Sequence, residues 1–161
     1  MLVRERFLCQ ELPPPPPNVS ADLPEIDEDI SNREKYEAHT TNSECSSCHN
    51  LMDPVGFGFE HYDELGRWRE QENGFEIDDE GVVFNIDKDD VAFTGVDGVA
   101  DVLAGSAQAG ECYVQQWFTF GFGDGNHEDK DVACGLQEAS DLYFEQGETM
   151  RAPILSLIQL D

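Results

Sequence analysis

Basic residues are scarce in this chain: nine Lys and Arg stand against 35 Asp and Glu among 161 residues, for a formal net charge of −26. Lysine occurs only at Lys35, Lys88 and Lys130. Phosphate recognition needs the opposite sign, so nucleic acid is excluded as a partner, and an anionic membrane surface with it. Long apolar runs are also missing, which excludes a membrane-spanning helix. There is no second Cys-x-x-Cys, no Gly-x-Ser-x-Gly, no His-Glu-x-x-His and no kinase signature, and hydrolase or phosphotransfer chemistry therefore has no motif to rest on. The glycine-rich GFGFE and FGFGDG stretches lack the lysine of a phosphate loop and read as tight turns between aromatic residues.

The N-terminal segment MLVRERFLCQEL has arginines inside its apolar part and no small-residue cleavage site, so it does not read as a signal peptide. The expectation is an exported chain, periplasmic or extracellular, whose signal has been removed or which is a piece of a longer protein. Five cysteines, two of them in a Cys-x-x-Cys-His, favour such an oxidising setting.

The acidic residues run along the whole chain, as in FEIDDEGVVFNIDKDD, which reads as a solvated surface suited to salty surroundings. NIDKDDVAFTGV starts like a calcium loop, with Asn85, Asp87 and Asp89 at alternate positions. It fails at Asp90, where glycine is needed, and at Val96, where a bidentate acid is needed.

Residues 1 to 12 offer a short helix that the run Pro13 to Pro17 must stop, because proline has no amide donor and restricts the residue before it. The prolines themselves form a stiff spacer. SNREKYEAHT then offers a helix capped by Ser31 or Asn32 with Glu34 in its first turn. Asp53-Pro54 and the following glycines interrupt the helical period, FEHYDEL reads as a short helix, and Gly66 ends it. Between residues 67 and 96 an Asn-Gly pair and the run VVFNI point to a small β-hairpin, expected as an embellishment outside the core. Beyond it four helical segments follow, with Leu136, Ala139, Leu142 and Tyr143 at helical spacing in one of them. The fold class is therefore mainly α: a first module with a small β-hairpin over residues 1–92, followed by a C-terminal helical module over residues 93–161.

The chemistry concentrates in NSECSSCHNLMDPVGFGFE, residues 42–60. In a c-type haem site two cysteines one helical turn apart form thioethers to the vinyl groups, and the adjacent histidine becomes an axial iron ligand; Cys45, Cys48 and His49 have this spacing and order. A zinc site would need four soft ligands, usually as two spaced pairs, and Cys112 and Cys134 stand alone. A redox dithiol would need a βαβ context that the flanking residues do not supply. Haem c, one per chain and covalent, is the favoured cofactor. Phe57, Phe59 and Trp68 are candidates for an apolar wall around the porphyrin, together with Leu51 and Tyr62.

For the second axial position Met52 lies three residues after His49 on the same helix face and does not reach the opposite side of the ring, so it reads as haem-edge packing. His39, six residues before Cys45, is the first choice for the second metal ligand; His61, His127 and Met150 are the remaining ones. With Cys45 and Cys48 assigned to haem, three cysteines remain. The preferred pair is Cys112 with Cys134, contributing about 3 kcal/mol; Cys9 is then free or bonded outside the chain.

RERFLCQELPPPPPNV, REKYEAHTTNSECSSCHNLMDPVGFGFEHYDELGRWRE and FTGVDGVADVLAGS together resemble the planctomycete-type cytochrome-c-like domains. These are uncharacterised paired modules near the C-terminal ends of large exported proteins of planctomycetes, myxobacteria and marine bacteria. The resemblance implies haem attachment at Cys45 and Cys48 with His49 as ligand, a histidine before the motif that His39 matches, and a second helical module from about Phe93.

The function expected is electron transfer by an exported mono-haem c-type domain, more an electron carrier than a catalyst on its own. Its acidic face would favour a redox partner protein with a basic surface, or the rest of a larger polypeptide. Two alternatives stand beside it. One is a structural or docking module whose Cys-x-x-Cys-His cluster binds metal or forms a disulfide; the other is a haem enzyme with an open iron position.

Overall fold

The computed structural model describes residues 1–14, 29–41, 43–123, 129–147 and 149–158, and the side chains of residues 38, 39, 43 and 44 lie outside the description. The proline run from Pro15 onward and His127 lie outside the described residues as well. The chain is mainly helical, with two small antiparallel two-stranded sheets. No helix among the described residues is long and apolar enough to cross a membrane.

The first helix is α1 (Leu2–Phe7). Next comes α2 (Asn32–His39), which starts where the sequence places it. Ser31 and Glu34 form a reciprocal capping box: Glu34 N donates to Ser31 Oγ at 3.2 Å and Ser31 N donates to Glu34 Oε2 at 3.1 Å, satisfying two amides that the helix leaves open. α3 (Ser43–Gly56) carries the whole Cys-x-x-Cys-His motif and has Pro54 inside it. The expected break falls at Gly56, the first of the glycines, and not at Asp53-Pro54. The proline removes the hydrogen bond to the carbonyl four residues earlier and its ring crowds that carbonyl, and the helix ends two residues later, at Gly56.

After α3, a single 3₁₀ turn (Phe57–Phe59) and a knot of turns stand where FEHYDEL reads as a helix. Tyr62 bridges Trp68 in antiparallel fashion and Arg69 N donates to the His61 carbonyl at 2.7 Å, so these backbone groups pair across the loop and not along a helix. Asp63 clamps that loop. It accepts from the amides of Leu65 and Arg67, each at 2.9 Å, and from the Arg67 guanidinium at 2.7 Å. These bonds, the Arg67 amide first, hold the Asp63 carboxyl down at about 2. Because its folded value lies below the ordinary one, the stabilisation from Asp63 is present above about pH 4 and lost as pH falls toward 2. An NMR titration is expected to place the Asp63 midpoint near 2, and Asp63→Asn should flatten the fall in stability between pH 4 and 2.

The Asn-Gly pair does make a turn: Asn73 and Gly74 both have positive φ, at 51° and 84°, as a two-residue hairpin requires. It joins only the two-residue strands β1 (Gln71–Glu72) and β2 (Phe75–Glu76). The larger hairpin comes next, β3 (Glu80–Ile86) with β4 (Asp89–Thr94), in register Glu80↔Thr94 to Val83↔Val91. Asp87 and Lys88 close it with φ of 50° and 75°, so the segment that starts like a calcium loop is a hairpin turn.

The β3–β4 hairpin is no embellishment. Val83, Ile86 and Phe93 join Leu8, Val55 and Val99 in the first of two buried clusters. Alternation puts Val83 and Phe93 on the inward face, and the bulge between Val83 and Ile86, where Asn85 has a φ of 54°, turns Ile86 to the same side, against α3 and α4 (Gly95–Ala104). Gly81 permits the approach to α3: a Cβ there would overlap the Pro54 carbonyl and the Phe93 ring. Gly81→Ala is therefore expected to lower stability by about 1–3 kcal/mol, measured by denaturant unfolding. An unchanged midpoint would mean that the hairpin does not press on α3.

The remaining helices follow the periodicity. α5 (Ala107–Phe122) is capped by Ser106, whose Oγ accepts from Ala109 N, and α6 (Lys130–Glu145) by Asp129, whose carboxylate accepts from Asp131 N. With α7 (Ala152–Ile158) they enclose the second cluster, Val114, Ala139, Tyr143 and Ala152.

The disulfide differs from the pairing preferred on sequence. Cys9 is bonded to Cys112 across 103 residues, with a Cα–Cα distance of 5.4 Å, while Cys134 is free and exposed. The reason is packing: α1 lies against α5, and Cys112 is 2% exposed on the buried side of α5.

Candidate functional site

α3 sets the geometry of the motif. Cys45, His49 and Asp53 recur every fourth residue and share one face, while Cys48 lies one turn on from Cys45. Cys45 is buried and Cys48 half-buried, and both are free thiols. His49 Nδ1 hydrogen-bonds both carboxylate oxygens of Asp53, at 3.1 and 3.0 Å. An ionised carboxylate only accepts, so against Asp53 it is Nδ1 that carries the proton.

His49 and Asp53 line a cleft of about 570 Å³ whose second wall is α2, through Arg33, Glu37 and Thr40, and whose third is the β3–β4 hairpin, through Gly81, Val82 and Phe84. That volume falls within the range of small-molecule and cofactor sites, roughly 300–1,000 Å³. Arg33 ties the walls together. Its guanidinium lies 4.1 Å from the centroid of the Phe57 ring, pairs with Asp78 at 3.0 Å, and donates to the backbone carbonyls of Asp78 and Glu80.

Of the aromatic residues expected around a porphyrin, Phe57 is buried and lines this cleft. Phe59 is in a separate hollow of about 240 Å³ beside α1, with Met52 and Val55. Trp68 is in a third, of about 220 Å³, with His61, Tyr62 and Asp79. There Trp68 stacks on His61 with ring centroids 4.3 Å apart and 3° between the planes, while His61 Nδ1 donates to the Arg69 carbonyl at 2.7 Å. Phe57 therefore shares a cavity with His49, whereas Phe59 and Trp68 do not. His39 ends α2 one residue before Thr40, which lines the cleft; its side chain lies outside the described residues.

The acids of the region are held by specific partners. Glu60 accepts from the Asn32 amide at 2.9 and 3.0 Å and lies 3.6 Å from Arg69. Burial pushes its carboxyl above the ordinary range, against the pull of Asn32. Among the described residues no group of three or more His, Cys, Asp or Glu is placed to hold a metal ion.

A c-type haem would need two thiols a turn apart and one imidazole; α3 carries these groups in that order, and of the three only His49 is among the residues that line the cleft. Sequence reasoning missed Asp53 and Arg33. The four-residue step from His49 to Asp53 is a helical contact that spacing alone could have flagged. Arg33 meets Phe57 only through the tertiary fold.

Residues 1–72 match the family model PSCyt3, a protein of unknown function (DUF1588), which is a planctomycete cytochrome-like domain family. The match takes in α1, α2, the cysteine motif of α3 and the Asp63 loop. No curated protein and no solved structure matches the chain.

Proposed function

We propose that this chain is a c-type mono-haem electron-transfer domain of an exported protein. Cys45 and Cys48 would hold the haem through thioethers, and His49, through Nε2, and His39 would ligate its iron. The observation that carries the reading is His49, next to Cys48 on α3, with its Nδ1 committed to Asp53 and its ring at the edge of a cofactor-sized cleft. The cytochrome-like family match over residues 1–72 supports it.

Bound haem c supplies the one-electron redox couple. The protein's own residues attach it, orient the imidazole and shield one side of the cleft with Phe57. With 35 acidic residues against nine basic ones, a redox partner with a basic surface would associate quickly at low salt and more slowly as salt rises. The setting proposed is periplasmic or extracellular, where haem attachment and the Cys9–Cys112 disulfide are both sustained.

Variants test the assignment. After expression with cytochrome-maturation machinery, the Cys45→Ser, Cys48→Ser double variant should lose all haem that resists denaturation. His39→Ala should keep the covalent haem but shift the ferric spectrum toward a high-spin form. Retention of denaturation-resistant haem by the double variant would remove the attachment, and an unaltered His39→Ala spectrum would remove that ligand.

A further inference from the structure

Asp53 holds both oxygens within 3.1 Å of His49 Nδ1, and the two side chains are only 16% and 31% exposed. Solvent therefore screens this pair less than an ion pair standing on the surface. A carboxylate sharing the Nδ1 proton makes an imidazole a more basic donor through its other nitrogen, and a more basic axial ligand favours the oxidised metal. The surrounding charges act in the same direction. Glu37 and Glu80 line the same cleft, and Arg33, the basic residue among its described lining, pairs with Asp78 and Glu37.

We propose that Asp53 is the positioning residue of this site, fixing the tautomer of His49 and lowering the reduction potential of the bound haem. The proposal rests on the haem reading above. An ordinary helical ion pair in the same place would affect stability and leave the potential unmoved.

The test compares wild-type holo-protein with Asp53→Asn and Asp53→Glu, after haem content has been equalised by the pyridine haemochrome assay. In a spectroelectrochemical titration, Asp53→Asn should shift the midpoint to more positive potential, and Asp53→Glu should return it toward wild type. Equal midpoints for wild type and Asp53→Asn, or a negative shift, would overturn the role of Asp53 while leaving the haem reading standing. Where Asp53→Asn does not accumulate with haem, the ferrous wild-type protein labelled with ¹⁵N-histidine decides. A far-downfield, slowly exchanging Nδ1 proton on His49 supports the proposal, and a rapidly exchanging one overturns it. Wild-type protein without covalent haem would remove the haem reading and this inference together.

Discussion

Replacing Cys9 and Cys112 together with alanine is expected to lower the free energy of unfolding by about 4–5 kcal/mol, the loop-closure value for a cross-link spanning about 100 residues. The bond joins positions 103 residues apart, so it restricts most of the unfolded chain. It also staples α1 to α5 and thereby joins the segment before the proline run to the C-terminal helices. For a domain of this size the loss should appear as a melting temperature roughly 10 °C lower or more. Reducing the wild-type protein should reproduce most of the effect. Cys134 gives the contrast: it is an exposed free thiol on α6, and Cys134→Ser should stay within about 0.5 kcal/mol of wild type. A large loss on Cys134→Ser with little change on removing Cys9 would reverse the pairing described here.

Arg4→Ala should be nearly as damaging, costing about 3 kcal/mol or more, because it strands several acceptors at once in a buried place. Arg4 is 2% exposed. Its Nε donates to the Leu51 carbonyl at 2.6 Å, and its terminal nitrogens donate to Gln10 Oε1 at 2.6 Å and to the Phe84 carbonyl at 3.1 Å. Those partners lie on α3, in the segment after α1 and on β3, so one fork of donors joins three pieces of the fold. Burial disfavours its charged form and pulls its pKa below the ordinary arginine value; the carbonyls offset that cost without supplying a counter-charge. Arg4→Lys should fall well short of rescue, since an ammonium cannot reproduce the planar geometry. Denaturant unfolding of both variants measures this, and a small loss for Arg4→Ala would show that water takes over the stranded carbonyls. The position matters for the site as well: Leu51 lies two residues after His49, so Arg4 holds down the helix that bears the motif.

Local signals were readable in the sequence and tertiary ones were not. The helix start at Ser31 or Asn32 with Glu34 in its first turn, the Asn73-Gly74 turn and the helical spacing of Ala139 and Tyr143 are short-range features, and each is realised, Ser31 being the cap. FEHYDEL failed as a helix because Tyr62, Arg69 and the Asp63 clamp give its backbone other partners. The β3–β4 hairpin read as peripheral because its pattern says that one face is buried but not what buries it. Only the packing of Val83 and Phe93 against Val55 and Val99 makes it part of the core. The pairing of Cys9 with Cys112 is likewise invisible to spacing, since connectivity depends on which helices meet. At the site, Cys45, Cys48 and His49 came from the motif. Phe57 shares the cleft of His49, whereas Phe59 and Trp68 line other hollows.

The central claim is that α3 carries one covalently attached haem. Its most direct test is the intact mass of the full chain after expression with cytochrome-maturation machinery, read beside the reduced pyridine haemochrome spectrum. The expected result is the polypeptide mass plus one haem and the spectrum of a haem joined by two thioethers. An unmodified mass with no haemochrome band would contradict it.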